Sequence, residues 1–279
     1  YIEQAIVSVM NQTYRTFELV VVDDCSPSAE GKRVIGDLAD KYGFKLIRHT
    51  KNMGAAKAFR TAFENSSGEL ISIISHDDLY TEDKLEYMMS VLSDKGLDVL
   101  YCNGSSFKDD DLRSAIPFDD TEVMAAQSVG QSSVADLISS KDTVGCLLTQ
   151  GALYKRSVWK EQENYRERFL LDDWPFTIIA WKNYATMYDP HNVYYYRLHE
   201  DNVHKNYLKW LPARIQTVCE LVDKDRKNDV IGRILIDVGS AALNQGESKM
   251  AFSFVSAGMM MVENANDVRH ADNLLVRLS

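Results

Sequence analysis

Four short runs of apolar and β-branched residues recur along the first part of the chain. They are Leu19–Val22, Phe44–Ile47, Leu70–Ile74 and Val99–Tyr101, with starts 25, 26 and 29 residues apart. That spacing accommodates one strand and one crossover helix per repeat. The intervening stretches have helical periodicity. Ile2, Ala5, Ile6 and Val9 share one face, as do Val34, Ile35, Leu38 and Ala39; Ala55, Phe59, Ala62 and Phe63; and Leu85, Met88, Met89 and Leu92. Strand and helix in alternation predict an α/β fold, a mostly parallel sheet flanked by helices. Such sheets bind ligands beyond the carboxyl ends of their strands.

The residues after the strands are polar: Asp23-Asp24-Cys25-Ser26, then Asn52-Met53-Gly54, then Ser75-His76-Asp77-Asp78. A carboxylate pair at a strand end, as at Asp77 and Asp78, suits a hard divalent ion shared with substrate phosphates. Equally, Asp78 or Thr81 could cap the helix that follows. Asp23 and Asp24 fit either an Asx-type turn or a nucleotide-binding loop. Asp172-Asp173-Trp174 precedes an apolar helical stretch; carboxylates there either answer the helix dipole or supply a general base. His199 follows a short strand, Val193–Tyr196, and is either an ordinary surface or core histidine or a ligand.

Several classes are disfavoured. With 31 Lys+Arg against 41 Asp+Glu the chain carries −10, the wrong sign for nucleic acid. Neither GxGxxG nor GxxxxGK[ST] occurs, which argues against a dinucleotide cofactor and a P-loop. The longest apolar candidate, Met250–Val262, includes Ser253 and Ser256 and is shorter than the roughly 18 residues of a spanning helix. Cys25, Cys102, Cys146 and Cys219 have no paired spacing, as expected of a reduced, cytoplasmic setting. Residues 1–206 read as one domain, with a loop-rich insertion over 104–142 where periodicity fades. Residues 207–279 read as a helical appendage without chemical motifs, Trp210 and Met259–Met261 being core.

Taken in order, YIEQAIVSVMNQTYRTFELVVVDDCS, NMGAAKAF, SGELISIISHDD, LDDW and YYYRLHEDN resemble the family 2 glycosyltransferases over residues 1–206. The resemblance implies the GT-A fold of nucleotide-diphospho-sugar transferases. It implies that Asp24, with Asp23 beside it, meets a uracil-type base, and that Asn52 and Lys57 face the nucleotide. Asp77 would hold Mn²⁺ or Mg²⁺, with Asp78 beside it on the donor. His199 would close over diphosphate and metal. Asp173 would be the catalytic base, with Asp172 and Trp174 on the acceptor side. Ser75 stands where the metal motif usually begins with Asp. The family usually opens with a strand that has no counterpart before Tyr1, so a native N-terminal strand is expected to be missing.

The expected reaction is inverting transfer of a sugar from a UDP-type nucleotide-sugar donor to a hydroxyl of a glycan or lipid-linked acceptor. Bacterial surface polysaccharide synthesis is the implied setting, with a cytoplasmic enzyme peripheral to the inner face of the membrane. A homodimer through the helical tail is compatible with this picture. Two alternatives remain at this stage: a catalytically impaired nucleotide-sugar-binding or scaffold protein, and a nucleotidyltransferase.

Overall fold

A computed structural model describes residues 1–279 except 109, 141–144, 162–168, 170–172, 200–206 and 279. Asp172 lies outside the described residues. The chain divides into two compact units, Tyr1–Val134 with Val144–Glu200, and Ala135–Thr143 with Asp201–Ser279.

In the first unit the expected alternation is present: α1 (Ile2–Met10), β1 (Val20–Asp23), α2 (Ala29–Tyr42), β2 (Lys45–Arg48), α3 (Ala55–Glu64), β3 (Leu70–Ile71), β4 (Leu79–Tyr80), α4 (Lys84–Asp94) and β5 (Val99–Lys108). Helix α1 buries Ala5, Ile6 and Val9, three of the four residues of its apolar stripe. Helix α2 starts at Ser28, whose hydroxyl accepts from the Gly31 amide, and stops at Gly43 at φ +72°, a left-handed cap that a side chain would strain.

The sheet departs from the expectation in one respect. Strands β1 and β2 pair in parallel from Val20↔Lys45 to Asp23↔Arg48. A second sheet, among the described residues, has the order β3-β7-β5-β8-β4, with β6 (Asp111–Pro117) also on β5, and with β7 (Ala152–Lys155) and β8 (Thr186–Leu198). Only its β5–β8 pair is parallel; the other pairings are antiparallel. The sheet is therefore mixed. Parallel pairing was inferred from strands separated by crossover helices, and β4, β6 and β7 lie outside that alternation.

Residues 104–142 are not loop-rich: β5 runs on to Lys108 and turns into β6, followed by α5 (Thr121–Val129) and α6 (Gln131–Ser140). Polar side chains mask the amphipathicity there, yet Val123, Val134 and Ile138 are buried. Two 3₁₀ turns, Gly145–Leu147 and Thr149–Gly151, lead into β7, and α7 (Arg156–Glu161) and α8 (Trp174–Asn183) complete the unit. Its centre is β5, where Val99, Leu100, Tyr101 and Cys102 are fully buried. Tyr194 of β8 lies so close to Gly104 and Gly151 that a Cβ on either would meet its ring, at 2.3 Å and 2.8 Å.

The second unit contains α9 (Tyr207–Leu221), α10 (Lys227–Asn244), α11 (Ser248–Met259) and α12 (Ala265–Leu278). Helices α10 and α11 cross at glycines: a Cβ on Gly258 would sit 2.5 Å from the Gly232 carbonyl, and one on Gly232 2.8 Å from the Gly258 carbonyl. Arg233 of α10 pairs with Asp229 at 2.6 Å and with Asp267 of α12 at 2.7 Å. Among the described residues no helix is long and apolar enough to cross a membrane.

Candidate active site

The loop from β3 to β4 carries Ser75, His76, Asp77 and Asp78, and the end of β8 is hydrogen-bonded to it. His199 Nε2 lies 3.0 Å from Asp77 Oδ2, and both side chains are 15% exposed. Asp78 is 1% exposed: its Oδ1 accepts the Arg197 amide at 3.0 Å and its Oδ2 accepts Gln150 Nε2 at 2.8 Å. Burial, reinforced by the charge of Asp77, pushes the Asp78 carboxyl up to about 7, against the pull of those hydrogen bonds. Asp78 was expected to meet the donor. With both oxygens committed inside the protein it instead braces the loop that presents Asp77.

Arg197 joins these pieces. Its Nε donates to the Asp77 carbonyl at 2.7 Å, its Nη2 to Gln4 Oε1 at 2.7 Å, and its Nη1 pairs with Asp110 at the β5–β6 turn. The guanidinium lies 4.4 Å from the Tyr1 ring and 4.6 Å from the Phe107 ring. The Tyr1 ring also tilts against His199, with centroids 5.3 Å apart. One buried cation thus ties together α1, the Asp77 loop, the hairpin and the strand that positions His199.

At the end of β1, Asp24 fastens the turn after β2. Its Oδ1 accepts the Met53 amide at 2.8 Å and contacts His49 Nδ1 at 2.6 Å, and its Oδ2 accepts the Gly54 amide at 2.7 Å. Burial raises the Asp24 carboxyl, but the His49 and backbone bonds outweigh it and leave the value below the ordinary carboxylate range. Three of about four acceptor positions are filled, so the carboxylate retains room for a ligand. Asp23 is 3% exposed; its Oδ1 accepts the Ser26 amide at 2.8 Å, and its Oδ2 is buried without a hydrogen-bond partner. Asn52 and Lys57 are exposed on either side of Gly54, whose φ of +86° starts α3.

Asp173 is exposed at the N-cap of α8, where its Oδ1 accepts the Trp174 amide at 2.6 Å. Burial, then the charges of Asp78, Asp77 and Asp173, push the Tyr196 phenol up to about 12. Trp174, expected on the acceptor side, is 5% exposed. Its ring is part of the packing that seats α8, a helix whose apolar residues are buried all round.

Among the described residues no group of three or more His, Cys, Asp or Glu is arranged to hold a metal ion. Asp77 and His199 supply an oxygen and a nitrogen donor side by side, which fits Mn²⁺ or Mg²⁺ if diphosphate and water complete the shell. Gln150, Arg197 and His49 were not among the residues expected at the site. Arg197 had a signal, since it lies within YYYRLH; Gln150 and His49 had none, because their roles depend on contacts between distant segments.

The family model described as glycosyl transferase family 2 matches residues 1–159. A glycosyltransferase from Rickettsia typhi is 35% identical over 105 residues, 37% of this chain and 31% of that protein. The Escherichia coli enzyme UDP-Glc:alpha-D-GlcNAc-diphosphoundecaprenol beta-1,3-glucosyltransferase WfgD is 33% identical over 102 residues, 37% of this chain and 40% of that one. The chain thus spans well under half the length of these curated relatives. Among solved structures, S. aureus TarS 1–349 in complex with UDP-GlcNAc superposes with a TM-score of 0.63 at 16% identity, covering 100% of this chain and 85% of that one. The mannosyltransferase PcManGT from Pyrobaculum calidifontis, in complex with GDP-Man and Mn²⁺, gives 0.57 at 17% identity, covering 100% and 76%. These likenesses extend the GT-A fold along the chain, and the match over 1–159 makes this protein a member of glycosyl transferase family 2.

Proposed function

We propose that the protein is a divalent-ion-assisted, inverting glycosyltransferase that moves a sugar from a UDP-type donor to an acceptor hydroxyl. The setting we infer is bacterial surface polysaccharide or lipid-linked glycan synthesis, at the cytoplasmic face of the membrane. The observation that carries the reading is the Asp77–His199 pair, an oxygen and a nitrogen donor 3.0 Å apart at the loop that follows β3. The donor class and a diphosphate-lipid acceptor follow the activity in the name of the WfgD relative, and the UDP-GlcNAc complex of TarS favours the same donor class. The manganese of the PcManGT complex supports divalent-ion use.

In this reading Asp24 and the 52–54 turn hold the nucleoside end, with Asn52 and Lys57 around it, and Asp23 lies enclosed beside Asp24. Asp77 and His199 hold the divalent ion, which when bound offsets charge on the departing diphosphate. Asp173 accepts the proton of the acceptor hydroxyl as that oxygen attacks the anomeric carbon from the face opposite the diphosphate. Asp173 stands exposed at the start of α8. Arg197 holds the loop and β8 in register and takes no part in the chemistry.

The test is a panel of nucleotide sugars with Mn²⁺, read first by thermal stabilisation and then by release of nucleoside diphosphate in the presence of sugar acceptors. A donor at 100 times its dissociation constant adds about 2.7 kcal/mol to stability. Release of UDP that stops on chelation and requires an acceptor is the expected result. Release of inorganic diphosphate would indicate a nucleotidyltransferase, and donor binding without turnover a binding protein.

A further inference from the structure

Lys84, the first residue of α4, is fully buried, and among the described residues no carboxylate is paired with its ammonium group. Its Nζ lies 4.1 Å from the Tyr80 ring centroid and 6.0 Å from that of Tyr194, and it donates to the backbone carbonyl of Gln150. An ammonium group taken out of water without an anion is costly, and one carbonyl offsets only part of that. The carbonyl it holds belongs to the residue whose side chain reaches the Asp77 loop. Gln150 Nε2 donates to Asp78 Oδ2 at 2.8 Å and to Ser75 Oγ at 3.0 Å. The next residue, Gly151, is pressed so closely on β5 that a Cβ would stand 2.4 Å from the Cys102 carbonyl. The turn that carries Gln150 is therefore held by Lys84 on one side and by the central strand on the other.

We infer that Gln150 is a positioning residue for the metal-side loop, set in place by the buried Lys84. Its side-chain amide orients the Asp78 carboxylate so that the opposite oxygen takes the Arg197 amide. That bond sets the end of β8, two residues before His199, beside Asp77. Gln150 touches neither Asp77 nor the reacting atoms; it acts through Asp78. The inference rests on the functional reading above for its consequence, but the geometry it names can be measured without turnover.

The experiment compares wild type with Gln150→Leu, Gln150→Glu and Lys84→Met, and with Leu38→Ala as a control. Leu38 belongs to the separate cluster around Ile6 and Phe44, so Leu38→Ala lowers stability without touching the loop. Three readouts are taken: hydrogen exchange at the Arg197 amide, Mn²⁺ binding in the presence of UDP by electron paramagnetic resonance, and turnover. Gln150→Leu is expected to speed Arg197 exchange about tenfold, to weaken Mn²⁺ binding by a similar factor, and to slow turnover comparably, as for loss of a hydrogen bond to a charged group. Gln150→Glu sets a second carboxyl against Asp78 and should do at least as much, and Lys84→Met should move the readouts in the same direction. Leu38→Ala should leave Mn²⁺ binding and turnover unchanged, with any faster Arg197 exchange no greater than its loss of global stability accounts for. Unchanged Arg197 exchange and unchanged Mn²⁺ binding in Gln150→Leu would overturn the inference and leave the functional reading standing. Equal changes in Leu38→Ala would overturn it too, by reducing the role to general stability. A wild type that neither binds Mn²⁺ with UDP nor transfers sugar would sink the functional reading, and accelerated Arg197 exchange in Gln150→Leu would still support the positioning role.

Discussion

The strand-end rim of the α/β unit and the helix crossing of the C-terminal unit are both tightly packed, by opposite means. At the rim, Asp78, Arg197 and Lys84 are each 1% exposed or less, and each is held by directional bonds. At the α10–α11 crossing Gly232 and Gly258 carry no side chain and let the backbones meet. Burying polar groups is expensive and gains little stability, but it fixes angles and charges. Removing side chains gains close backbone contact and fixes nothing chemical. The difference directs attention to the loop that carries Asp77, where buried charged groups are held in position at high cost.

The comparison breaks most sharply at Asp173. Asp173→Asn should lower turnover by at least about a hundredfold, the scale of lost general-base catalysis, while UDP-sugar binding by calorimetry persists. Loss of donor binding in a folded variant would instead make Asp173 a binding residue. Asp77→Ala comes next. It should weaken Mn²⁺ binding with UDP by about tenfold or more, the cost of losing one charged donor, and leave the melting temperature nearly unchanged. Mn²⁺ affinity equal to wild type would remove Asp77 from the metal site.

The helical unit should answer differently. Gly258→Ala drives a methyl group into the Gly232 carbonyl and should cost about 1–3 kcal/mol of stability, as overpacking does, with UDP affinity unaltered. A parallel loss of UDP affinity would show that the two units are coupled. The smallest effect concerns pH. Burial lowers the Lys84 ammonium from an ordinary 10.5 to about 7. Between those values the unfolded chain holds the extra proton, so stability should rise with pH. Between pH 7.5 and 8.5 Lys84 should contribute on the order of 1 kcal/mol, read in denaturant titrations as the difference in slope between wild type and Lys84→Met, since the buried Cys102 and Cys146 thiols oppose it equally in both. An equal slope in that variant would assign the effect to another group.

Much of this architecture is legible in the chain. Helix α1 contains the apolar stripe from Ile2 to Val9 that predicted it, and β1, β2 and β5 start within one residue of the apolar runs that predicted them. Those are local properties, set by periodicity and by residues at strand ends. The pairing of Asp77 with His199 was foreshadowed only through family likeness, because no spacing in a sequence measures distance across a fold. The hairpin and helices of 111–140 escaped detection since their stripes are short and interrupted by serines. Trp174 and Asp78 were expected to face ligands, and both are enclosed. Whether a tryptophan beside an acidic pair faces outward depends on what packs over it.

By itself the sequence determined an α/β unit with acidic strand ends, a helical tail, and the segments among which a site must lie, because side-chain period and turn chemistry act over a few residues. Only the tertiary structure decided which carboxylate is exposed and which is entombed. Gln150 reaches Asp78 across 72 residues and Arg197 reaches it across 119, and such bonds exist only once the sheet has brought those segments together.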